Sequence, residues 1–226
     1  MKIIKIAKLK DFIKDIDIDS IAERILNFII DLEPSEKRKF FTTGHKILMF
    51  GENIKGENIH FILKDIKYTA EMRAYNDFVF IVINPKFFFS ALDPAKRNKY
   101  KTLLKSSLAH ELFHVFDPKT YMDLNYMSPE HGTRYLIHPQ EFDAYSIEII
   151  TLLEEMMKDD VINKSDILNM LRNDDWNKLK EYIMENPEIS GVFGGSSDSI
   201  NSFLNKIKKH EDKNILFKKR IYKEVI

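Results

Sequence analysis

The stretch that decides the reading is Leu108-Ala109-His110-Glu111-Leu112-Phe113-His114-Val115-Phe116-Asp117. It holds the pattern H-E-x-x-H. On a helix, positions i and i+4 lie ~40° apart around the axis, so His110 and His114 present their imidazoles on one face. That spacing suits two nitrogen ligands of a single tetrahedral Zn²⁺. Glu111 is rotated ~100° from His110. It can stand beside the ion without ligating it, where a general base for a water is wanted. With 7 His among 226 residues, the pattern is expected about 0.016 times per chain by chance.

The flanking sequence supplies the helical context the motif needs. Asp93-Pro94 reads as an N-cap with proline at the first helical position. Leu104, Leu108 and Leu112 follow four apart up to Phe116, and Pro118 stops the run. Upstream, Asp77–Ile83 (DFVFIVI) is β-branched and aromatic and is the best strand candidate in the chain. Lys46–Phe50 and His60–Thr69 also read as strands, and Asp19-Ser20 caps a helix through Ile29. Downstream, residues 118–137 read as an irregular loop. His138-Pro139 opens a helix to about Asp159, and short helices are expected over Lys164–Asn173, Asp175–Met184 and Ser199–His210. A glycine turn over Gly191–Gly195 separates the last two. In the tail, Leu216, Phe217, Ile221 and Tyr222 suggest packing onto the domain.

A zinc site needs a third protein ligand and an open position. Glu130, His131, His138 and Glu141 are the candidates. Glu141 is favoured: it falls in the first turn of the next helix, and the small Ala144 permits close helix approach. A carboxylate there also stabilises a helix N-terminus, and the two roles are compatible. Asp117 and Asp143 are candidates to accept the second ring N–H of a ligating histidine. A developing oxyanion would need a donor. His131, Arg134, Tyr135, His138 and Tyr145 are available, and His138 and Tyr145 flank Glu141 most closely.

HELFH followed by a helix-borne glutamate resembles the zincin metallopeptidases, in the subset whose third ligand is glutamate. The resemblance covers about residues 77–155. It implies an α+β fold, with a small, mainly antiparallel sheet packed on the active-site helix and a helical C-terminal half. It implies His110, His114 and Glu141 as zinc ligands, Glu111 as base, and a peptide or protein as substrate. In that family the strand before the active-site helix forms a sheet edge that pairs with extended substrate, a role that would fall on Asp77–Ile83.

Composition bounds the rest. Lys+Arg and Asp+Glu are 35 each, so the net charge is zero, and 44% of residues are hydrophobic. A globally basic nucleic-acid binder is disfavoured. With no cysteine, disulfide scaffolds, thiolate metal sites and thiol nucleophiles are excluded. Lysine interrupts every apolar run near the N-terminus, and no stretch approaches the ~20 apolar residues of a membrane span. The expected location is therefore cytoplasmic. A catalytic domain over 1–160 with a helical extension over 161–226 is expected, unless the whole is one domain. Glu57-x-x-His60 with Glu111-x-x-His114 formally resembles a diiron pair, but Glu57 leads into a strand. The reading from another class is a non-catalytic binding or assembly protein on the same scaffold, against which the base Glu111 argues.

Overall fold

The computed structural model describes residues 18–37, 46–47, 59–75, 78–116 and 139–209, with positions 214, 217, 218 and 221. The chain divides into two compact units, Met1–Leu124 and Asn125–Ile226. The first holds a small mixed sheet and helices and the second is helical, so the fold is broadly α+β.

In the first unit, helix α1 (Ile18–Asp31) buries Ile18, Ala22, Ile25, Leu26, Ile29 and Ile30. That spacing gives one apolar stripe on a 3.6-residue helix. The strands are β1 (Lys46–Ile47), β2 (Ile59–Leu63), β3 (Ala70–Tyr75) and β4 (Phe78–Ile83), in the order β1-β2-β4-β3. β1–β2 and β3–β4 are antiparallel, but β2–β4 is parallel, so the sheet is mixed. Helices α2 (Pro85–Leu92) and α3 (Arg97–Phe116) follow. α3 packs against α1, α2 and β3.

Three expectations are corrected here. Asp77–Ile83 does not form a sheet edge. β4 bonds to β2 on one side and β3 on the other, and Ile81, Val82 and Ile83 are all fully buried. A continuous apolar run is what a strand covered on both faces requires. The edges of the described sheet are β1 and β3. Second, the strand expected over His60–Thr69 ends at Leu63, and a new one begins at Ala70. Third, the cap with proline at the first helical position lies at Asn84-Pro85 and not at Asp93-Pro94. The Asn84 side chain accepts from Lys86 N and Pro85 takes the first turn of α2, so the pair is an N-cap with proline at N1. Helix α3 accordingly starts at Arg97, after a turn in which Asp93 accepts from Ala95 N.

The second unit runs α4 (Pro139–Lys158), α5 (Lys164–Arg172), α6 (Trp176–Glu185), α7 (Pro187–Val192) and α8 (Ser197–Lys209). Asn163, Asp175 and Asn186 cap α5, α6 and α7 through their side chains. α7 repeats the Asn-Pro start and occupies part of the expected glycine turn. Within that turn, Gly194 and Gly195 take the left-handed backbone, at φ 62° and 69°. Phe203 of α8 packs between Phe142 of α4 and Phe193, at 5.2 and 5.3 Å between ring centroids. In the tail, Phe217 and Ile221 are buried as expected; Leu216 and Tyr222 lie outside the described residues. Among the described residues no helix is long and apolar enough to cross a membrane.

The tail is also held by charge. Lys218 Nζ donates to Asp174 at 2.6 Å, and this hydrogen bond is the main reason the Asp174 carboxyl lies below its ordinary value of 3.8. A depressed folded pKa means stabilisation that is present above the unfolded value and lost as pH falls through the folded one. Asp174→Asn should keep the left-handed backbone (φ 54°), which Asn tolerates. Its stability deficit against the native chain, measured by urea unfolding, should be present at pH 7 and shrink steadily below pH 3.8.

Candidate metal centre

Both histidines sit near the C-terminal end of α3, one turn apart, as the motif requires. The helix is deeply covered there. Leu108, Ala109 and Leu112 are fully buried, His110 is 6% exposed and His114 2%. Burial on so many faces is unusual for a helix carrying two imidazoles, because buried polar groups must find partners.

The rings face each other with Nε2 atoms 3.1 Å apart. Their centroids are 4.8 Å apart, and the planes are inclined by 68°. Two nitrogens on one tetrahedral zinc at about 2.0–2.1 Å would be separated by about 3.3 Å. The observed spacing lies within a few tenths of an ångström of that bite. It is also hydrogen-bond distance, so in the absence of an ion one neutral ring can donate to the other. An ion would replace that bond with two coordinate ones, with little side-chain movement.

Glu111 is half-buried. Its Oε2 accepts from the backbone N–H of Met72, on strand β3, at 2.7 Å. This is a short, charge-assisted bond. It ties the acidic residue of the motif to the side of β3 where no described strand pairs. Sequence reading did not find Met72, because the contribution is a main-chain amide and leaves no side-chain signature.

Glu141 lies in the first turn of α4 and is 1% exposed. The helix N-terminus favours an anion there. Ala144 is fully buried, and Asp143 and Tyr145 are half-buried. Glu148, two turns on along the same face, is also buried, as are Thr151 and Glu154. The other sequence candidates, Asp117, Glu130, His131, Arg134, Tyr135 and His138, lie outside the described residues. His60 lies on strand β2, which removes the helix a diiron bundle needs.

No family model, curated protein or solved structure matches this chain. The functional reading therefore rests on the residues themselves.

A pair of imidazoles so placed should bind one equivalent of Zn²⁺ or Co²⁺. Added zinc should raise the thermal midpoint, since a ligand at 100 times its Kd contributes about 2.7 kcal/mol. His110→Ala and His114→Ala should each weaken binding by more than about 100-fold, because loss of a ligand outweighs the 10–100-fold effect of losing an outer partner. Isothermal titration against the apo protein reads the result. Unchanged affinity in both variants would remove the centre.

Proposed function

We propose that this chain is a zinc-dependent metallopeptidase of zincin type. In this reading His110, His114 and Glu141 hold the ion and Glu111 is the general base. The observation that carries it is the imidazole pair, buried on α3 at a spacing close to a tetrahedral bite. Glu141 is the proposed third ligand. Glu141 is 1% exposed in the first turn of its helix, and a carboxylate this deeply buried is stable as an anion only beside positive charge or donors. That chemistry, two nitrogens and one oxygen, suits a catalytic zinc site with an open position.

When bound, such an ion would polarise the scissile carbonyl and the attacking water. Glu111 would take the proton from that water and deliver it to the leaving amine. In the resting chain one of its carboxylate oxygens is held by the Met72 N–H. Tyr145 and His138 are the proposed donors to the developing oxyanion. The side of β3 that faces away from β4, rather than the interior strand β4, is the place where an extended peptide would align.

Glu111→Gln separates catalysis from metal binding. The variant should keep one equivalent of zinc, measured by plasma emission spectrometry. Its cleavage of a diverse peptide library, read by mass spectrometry, should fall by about 10²–10⁴-fold. Full cleavage by the variant would contradict the assignment of the base. A zinc-loaded native chain that cuts no library peptide would favour a binding role.

A further inference from the structure

The hydrogen bond between Glu111 and Met72 bears on how the sheet edge takes a partner. The ladder shows which backbone groups of β3 face outward. Asn84 N donates to Thr69 O at 3.0 Å, one step beyond the Ala70↔Ile83 pair of the β3–β4 register. In an antiparallel ladder, bonded and non-bonded pairs alternate. Glu71, Arg73 and Tyr75 therefore turn their amides toward β4, and Ala70, Met72 and Ala74 turn theirs away from it, to the side where no described strand pairs. The donation of Met72 N to Glu111 at 2.7 Å, away from β4, agrees independently. Met72 is thus the central outward donor of the strand.

A strand added to this edge would place a carbonyl oxygen about 2.7–3.2 Å from that nitrogen. The Glu111 carboxylate already occupies this position. We propose that Glu111 and an incoming extended peptide compete for the Met72 N–H, so that strand pairing on β3 and the resting hold on Glu111 exclude each other. The motif glutamate is then a latch on the sheet edge, and alignment of the peptide shifts it off the strand and toward the imidazole face. This rests on the reading of Glu111 as base and of a peptide as substrate. It adds that the base reaches its working position only when a strand has paired.

The test is peptide binding without turnover. The full chain, kept metal-free with a chelator, is titrated into a fluorescein-labelled eight-residue Thr/Val/Lys peptide and followed by anisotropy. Main-chain pairing tolerates such a sequence. Glu111→Ala removes the competitor and should tighten binding about tenfold, in line with the strength of hydrogen bonds to charged groups. Met72→Pro deletes the contested N–H at an outward-facing edge position, where proline is tolerated. In the Met72→Pro background, Glu111→Ala should bring no gain. Equal or weaker binding by Glu111→Ala, a gain that survives Met72→Pro, or no binding by any form overturns the proposal.

Amide exchange followed by NMR keeps the test decisive should Met72→Pro fail to fold. The Met72 amide should be protected in the native chain, exposed in Glu111→Ala, and protected again when peptide is added to that variant. An exchange rate unaffected by Glu111→Ala overturns the latch. Neither readout involves zinc or cleavage, so a failed latch leaves the peptidase reading standing, and an inactive protein can still show the competition.

Discussion

Two imidazoles one helical turn apart, buried with their Nε2 atoms 3.1 Å apart, are the constraint around which the first unit is arranged. Imidazole is costly to bury without a partner, and this pair is sequestered by the best-covered part of α3. The apolar residues between them, Leu112 and Phe113, and those before them, Leu108 and Ala109, are all buried. They hold the helix, and hence the two rings, in one orientation. The helix in turn packs against α1, α2 and β3. An imidazole pair on so rigid an element is preorganised, as a metal site would need.

The sheet contributes through its edge rather than its centre. β4 is the most hydrophobic strand, and it lies between β2 and β3. β3 is polar by comparison, with Glu71 and Arg73 paired to each other at 2.8 Å. Its side away from β4 carries the Met72 amide that meets Glu111. One hydrogen bond therefore joins the strand to the motif. A change in backbone pairing at β3 is felt directly by the residue proposed to move the proton.

What was legible in the sequence was local. The H-E-x-x-H spacing, its helix and the strand over 78–83 depend on neighbours within a few residues, and all three stand in the structure. The burial of Phe217 and Ile221 followed from an apolar pattern within a basic tail. Strand β3 was not legible, because Ala-Glu-Met-Arg-Ala-Tyr alternates only briefly, has no β-branched residue and is made mostly of good helix formers; it is extended because it pairs with β4. Which strand forms the edge is a property of strand order, and no local pattern encodes it. The short helices at Pro85 and Pro187 were hidden because Asn-Pro both ends one element and caps the next. The choice among Glu130, His131, His138 and Glu141 could not be made from spacing. Of the four, only Glu141 lies among the described residues, and it is buried in a helix's first turn.

The central claim is that His110 and His114 grip one ion. X-ray absorption at the zinc edge, on the chain loaded with a single equivalent, addresses it most directly. The account predicts a four-coordinate shell at about 2.0–2.1 Å, with the multiple scattering of two imidazole rings and the remainder oxygen. A shell of oxygen alone, or imidazole scattering that persists undiminished when both histidines are replaced by alanine, would contradict it.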